Sequence, residues 1–240
     1  MLRLLSDLEI SIDFFSYFSS FSKVLSDPAE NLLCVSAWND NGMKGYVSDP
    51  RKVLRSDFFP GLGWMIDKSI WSELSVKWPR GYWDDWLREP GQRKGREIIR
   101  PEICRTYHYG KTGGTSGNAY NEYLDNIKLN DVDVDWEGYD MGKIAKGKYD
   151  HALKVGIKMA VSTSPEECRE IMRTPGSDLV VTYDGLSGSR ASFEGVARTI
   201  GVMGNVKAGV PRGAYKGIVE VNFKGGRKVF IVGKNWEDAI

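Results

Sequence analysis

Four consecutive residues, Trp83-Asp84-Asp85-Trp86, put two carboxylates between two indoles. Apolar walls disfavour a charged carboxylate and raise its proton affinity toward neutral pH, where it can serve as a general base, for example toward a sugar hydroxyl. The same residues also read as a helix start, with an aspartate cap and an Asp85–Arg88 surface pair. A second candidate is Ser6-Asp7-Leu8-Glu9, where an apolar run meets an acidic pair just before a helix. Oxygen ligands there suit Mg or Mn bridging a diphosphate, although an acid near a helix start also simply complements the dipole. Third, Gly110 to Gly117 carries Thr112, Thr115 and Ser116 among its glycines, so free N–H groups and hydroxyls could cradle phosphates. The spacing lacks the earlier glycine of a Walker motif, which excludes kinase and NTPase readings built on one. Asp131, Asp133 and Asp135 read as a calcium ladder or a solvated strand face, and His108, beside Tyr107 and Tyr109, as a packed strand residue.

These groups need elements to hold them. Phe14, Phe18, Phe21 and Leu25 recur at helical spacing, with Asp13 placed to cap and Asp27-Pro28 placed to stop. Leu32 to Trp38 has no alternation and predicts a strand covered on both faces, ended by Asn39-Asp40-Asn41-Gly42. Ile70, Trp71 and Leu74 mark a helix, and Trp83, Trp86 and Leu87 share the face of a second, short one. Gly110 to Gly117 is read as a mobile loop, and Asp131 to Asp135 as a strand with one acidic face. Farther on, Asp178 to Tyr183 predicts a strand, Phe193 to Ile200 a helix ended by Gly201, and Gly217 to Phe223 with Lys228 to Val232 a hairpin. The basic stretch Gly142 to Lys148 suggests a boundary, giving an α/β unit with a mixed sheet over 1–145 and a small α+β unit over 146–240.

Composition narrows the function. With 33 basic against 32 acidic residues, the 240-residue chain lacks the field that bulk polyanion binding requires, so nucleic acid is a poor partner. Three separated cysteines exclude a zinc ribbon or a disulfide-dense scaffold. Two histidines outside any HExxH-type pair leave acid–base and metal work to carboxylates. No apolar run approaches the roughly 20 residues that cross a bilayer, and the first residues are too short for a signal core. Eight Trp and eleven Tyr suit sugar platforms, and tryptophan serves equally as core.

Taken in order, Asp7-Leu8-Glu9, Cys34 to Gly42, Asp57 to Trp64, Lys77-Trp78-Pro79 and Trp83 to Trp86 resemble the N-acetylglucosaminyltransferase I family. Gln92 to Arg96, Arg100 to Ile103, Gly201-Val202-Met203 and Gly209-Val210-Pro211-Arg212 continue the resemblance over nearly the whole chain. The sister enzyme of O-mannosyl glycans shares many of these words. Asp57-Phe58-Phe59 and Gly-Val-Pro-Arg look more like the N-glycan enzyme.

The resemblance implies the C-terminal part of a GT-A glycosyltransferase domain followed by a smaller domain. It implies an inverting transfer from UDP-GlcNAc to a mannose-terminated N-glycan, with Mn²⁺, on the lumenal side of the Golgi membrane. It places Asp7 on the metal-binding aspartate, Asp84 on the catalytic base, Trp83 and Leu124 in the GlcNAc pocket, and Thr115 on a diphosphate contact in a loop ordered by donor. Where the family has Glu-Asp before the metal aspartate, this chain has Leu5-Ser6, which implies weaker donor binding. Cys34 matches a family half-cystine whose partner position holds Ile98, with Cys104 as a substitute partner. The chain reads as the second half of such an enzyme, without the uridine-binding strands, and so with a sheet edge left open. A different class of reading is a non-catalytic remnant that binds glycan or a partner.

Overall fold

The computed structural model describes residues 1–3, 7–110, 123–184 and 190–240. Thirteen strands are seen among them: β1 Leu2–Arg3, β2 Leu8–Ile10, β3 Leu32–Ser36, β4 Val53–Ser56, β5 Trp64–Met65, β6 Glu97–Pro101, β7 Thr106–His108, β8 Val161–Ser162, β9 Leu179–Tyr183, β10 Val206–Lys207, β11 Val210–Pro211, β12 Val219–Asn222 and β13 Lys228–Gly233. The helices that matter to the site are α1 Phe14–Leu25, α2 Lys68–Ser75, α3 Trp83–Arg88 and α4 Pro90–Arg93.

The first sheet runs β1-β5-β3-β6-β4. It is mixed, because β3 pairs parallel with β6 while β5 and β4 run antiparallel to them. All five residues of β3 are buried, as an unalternating apolar run requires. One face meets α1 through Phe14, Tyr17, Phe21 and Leu25 packed with Leu32 and Val35; the other meets the tryptophan-rich layer through Leu33 and Cys34. The register shifts between Leu32 and Cys34, which lets two successive side chains, Leu33 and Cys34, enter the same layer.

Helix α1 stands where its periodicity places it, but Asp13 makes no side-chain cap. Its carboxylate is instead buried in a polar knot with Arg105 (3.0 Å), Ser11 (2.7 Å), Asn130 (2.9 Å) and Trp136 (2.8 Å). Burial alone would raise this carboxyl; Arg105 and the hydrogen bonds outweigh that and hold it below the usual carboxylate range. The acidic stretch Asp131 to Asp135 forms no strand. Among the described residues no strand pairs with it; Asn130 donates to the Val132 carbonyl at 2.6 Å, and Asp135 accepts from the amides of Glu137 and Gly138, local bonds that turn the chain.

The second sheet, β12-β13-β9-β8, has the expected β12–β13 hairpin and parallel neighbours in β13, β9 and β8. Helices Pro165–Ile171 and Arg190–Ile200 cover one face and helix Lys146–Met159 the other. Gly201 takes φ +89°, the left-handed conformation that ends a helix. The expected boundary at 145/146 coincides with the start of helix Lys146–Met159. Bonds cross between the halves: Asp57 N–H to Ala214 O (2.7 Å), Lys216 N–H to Asp57 Oδ2 (2.6 Å), and Arg212 to Asp40 (2.8 Å).

Candidate active site

Helix α3 begins after Tyr82, whose left-handed backbone (φ 51°) turns the chain inward, and it puts Asp84 and Asp85 in its first turn. Anions there are favoured by the helix dipole. Trp83 is wedged into an aromatic layer, its ring centroid 5.8 Å from Trp64, 5.9 Å from Trp78 and 6.1 Å from Phe59. The indoles therefore build the floor beneath α3 and do not enclose the carboxylates. Both acids turn to a cation.

Arg88, with only 6% of its side chain exposed, donates from Nη1 to Asp84 Oδ2 (2.9 Å) and to Asp85 Oδ1 (2.7 Å). Its Nε donates to Phe59 O (3.0 Å), and its guanidinium lies 4.9 Å from the Phe58 ring centroid. This corrects the expectation of a simple Asp85–Arg88 surface pair. Asp85 gives its second oxygen to Lys207 Nζ at 3.2 Å. Burial works to raise the Asp85 carboxyl, yet the bonds from Arg88 and Lys207 hold it below the usual range. Both of its oxygens are committed. Asp84, 41% exposed, has one oxygen bonded and Oδ1 without a hydrogen-bond partner among the described residues.

Asp7 immediately precedes β2, which pairs with β7 so that Leu8 lies opposite His108. Its Oδ2 is 2.9 Å from His108 Nε2, and its carbonyl accepts from Tyr109 N–H at 3.1 Å. A Cβ added to Gly110 would lie 2.7 Å from Asp7 Oδ2, so the carboxylate rests against bare backbone. His108 Nδ1 is buried without a hydrogen-bond partner among the described residues. His108 is a strand residue, as expected, and also the neighbour of Asp7. Among the described residues no group of three or more His, Cys, Asp or Glu is arranged to hold a metal ion. No hydrogen bond or ion pair joins Asp7 to Asp84 or Asp85 among them.

Leu124 is buried with Trp38, Cys104 and Ile127, against Leu62, Tyr107 and Tyr123. The segment Phe59 to Trp64 ties this cluster to α3: Phe59 and Trp64 touch Trp83, Leu62 touches the Leu124 cluster, and Leu62 O accepts from Thr106 Oγ1 at 2.6 Å. Thr115, Thr112, Ser116 and the glycine loop beyond Gly110 lie outside the described residues. Cys34, Cys104 and Cys168 are free thiols, and Cys34 faces Ile98 across the β3–β6 ladder.

Sequence reasoning missed a polar seam formed by its own motif words. Asn39 Nδ2 donates to Glu102 O (2.6 Å), Asn41 Oδ1 accepts from Met203 N–H (2.9 Å), Asp40 pairs with Arg212, and Arg100 donates to Gly213 O (3.0 Å). The bonds of Asn41, Asp40 and Arg100 join residues before 146 to residues after it. A profile of the GNT-I family matches residues 3–239. The chain belongs to the GNT-I family. It is 43% identical over 234 residues to the alpha-1,3-mannosyl-glycoprotein 2-beta-N-acetylglucosaminyltransferase of Arabidopsis thaliana, covering 95% of this chain and 50% of that relative. The chain therefore spans about half the length of the curated GNT-I relative it matches.

Proposed function

We propose that this GNT-I chain supplies the acceptor side and the base of an inverting N-acetylglucosaminyltransferase, acting on UDP-GlcNAc and a mannose-terminated N-glycan in the Golgi lumen. What supports the base most directly is the asymmetry on α3: Asp85 has both oxygens committed, while Asp84 is fixed through Oδ2 and keeps Oδ1 open. A carboxylate so held can take the proton of an acceptor hydroxyl as that oxygen attacks the anomeric carbon and UDP departs. Attack opposite the leaving group inverts the centre and requires no covalent intermediate.

Asp7, His108 and the bare Gly110 backbone suit Mn²⁺, since a carboxylate and an imidazole are ligands it accepts and Gly110 presents no Cβ to the Asp7 oxygen. When bound, the ion would neutralise charge on the departing diphosphate. Trp83 and Leu124 would shape the GlcNAc pocket through the layers they belong to, and Thr115 would contact the diphosphate. A GT-A arrangement, with units over 1–145 and 146–240, is the architecture this reading assumes. No helix among the described residues is long and apolar enough to cross a membrane.

The test is transfer of GlcNAc to a mannose-terminated glycan by this chain joined to the unmatched half of the Arabidopsis relative. Asp84→Asn should lower turnover by about two to four orders of magnitude with donor affinity unchanged. Near-normal turnover would remove Asp84 from the role. Glycan binding with no transfer by the unmutated chain would instead favour a non-catalytic module, the outcome to which Leu5-Ser6 points.

A further inference from the structure

The two acids of α3 compete for a single nitrogen. Arg88 Nη1 has two protons and gives one to each carboxylate. The guanidinium cannot follow either acid, because Nε is tied to Phe59 O and the plane is packed against the Phe58 ring. The balance between Asp84 and Asp85 is therefore set by whatever else holds them. Asp85 has a second holder, Lys207, which arrives on the β10–β11 hairpin 122 residues later in the chain. Asp84 has no second one among the described residues.

We propose that Lys207 is a positioning residue for Asp84: by holding Asp85 Oδ2 it keeps Arg88 shared, so that Asp84 stays pinned through Oδ2 with Oδ1 free for the acceptor proton. This rests on reading Asp84 as the base. Two cations and two carboxylates make the group neutral; without Lys207, Asp85 has Arg88 alone, swings closer to the fixed Nη1 in competition with Asp84, and leaves a net negative charge beside Asp84. Two further cations near α3, Arg212 and Lys77, are engaged elsewhere. Arg212 lies over the Phe58 ring, pairs with Asp40 and donates from Nε to Asn205 Oδ1 at 3.3 Å, and Lys77 sits 5.9 Å over Trp86 within reach of Glu73. The Lys207 side chain is itself 42% exposed, so its replacement unpacks little.

The effect is read on the carboxylate itself, in the 240-residue chain with ¹³C-labelled aspartate carboxyls and the Asp84 resonance assigned through Asp84→Asn. Lys207→Met should raise the Asp84 titration midpoint by about 0.5 pH unit, and Lys207→Gln should do the same. Lys207→Arg should restore the original midpoint. In an Asp85→Asn background, Lys207→Met should move it by less than half as much, because the path runs through Asp85. An unmoved midpoint in folded Lys207→Met and Lys207→Gln chains, or an equal shift with Asp85 removed, would overturn the proposal. The base role is decided separately by Asp84→Asn in the transfer assay, so either reading can fail without the other.

Discussion

Arg88 and Arg212 share one aromatic ring: their guanidinium carbons lie 4.9 and 5.0 Å from the Phe58 centroid. Each is also engaged by carboxylate, Arg88 by Asp84 and Asp85 and Arg212 by Asp40. The ring thus links the α3 acids to the segment after the β10–β11 hairpin without bringing two unbalanced cations together. Phe58→Leu keeps most of the apolar volume and removes the π face. It should cost about 1–2 kcal/mol in urea unfolding and broaden the Asp84 carboxyl resonance, whereas an unchanged resonance would show that packing alone matters at this position.

The polar knot at Asp13 should contribute to acid sensitivity. Asp13→Ala leaves Arg105 buried and unpaired, and the expected loss is about 3–5 kcal/mol at neutral pH. The native carboxyl lies below its ordinary value, so its stabilisation is fully present above the unfolded carboxylate pKa near about 4 and is lost as pH falls through the lower folded value. Unfolding midpoints of the two chains should therefore converge on acidification below about pH 4, and a gap that stays constant down to pH 2 would contradict the assignment.

Gly110 should be sensitive for a steric reason. An alanine there would put its Cβ 2.7 Å from Asp7 Oδ2 and 3.2 Å from His108, so the carboxylate must turn away. Gly110→Ala should weaken Mn²⁺ binding by about tenfold or more, followed by paramagnetic broadening of the Asp7 and His108 signals in the isolated chain. Thermal unfolding should barely change. Broadening identical to that of the unmutated chain would count against Asp7 as a metal ligand.

The three cysteines should be inert in the native state. Cys34, Cys104 and Cys168 are free and buried, and burial pushes the Cys104 thiol up to about 12 and the Cys168 thiol up to about 11. A thiol reagent at pH 8 should label none of them within minutes and all of them in denaturant. Rapid labelling of Cys104 in the folded chain would mean that the packing around Trp38 and Leu124 opens readily.

Local pattern was enough wherever burial repeats with a short period. Phe14, Phe18, Phe21 and Leu25 settled α1, the unbroken run from Leu32 settled a strand covered on both faces, and Trp83, Trp86 and Leu87 settled α3, because each rule compares neighbours a few residues apart. The words around Asn39, Arg100 and Arg212 were likewise enough to indicate the family. Only the tertiary structure decided what the polar side chains do. Asp13 gave up its cap for Arg105, 92 residues away, and Asp131 to Asp135 lost its strand for want of a pairing edge. Asp84 and Asp85, adjacent and alike in sequence, became unlike because Arg88 is buried between them and Lys207 reaches only one. Hydrophobic burial is additive and nearly directionless, so composition along a segment can foretell it; a hydrogen bond or ion pair depends on one partner at one distance, and the chain's fold alone chooses that partner.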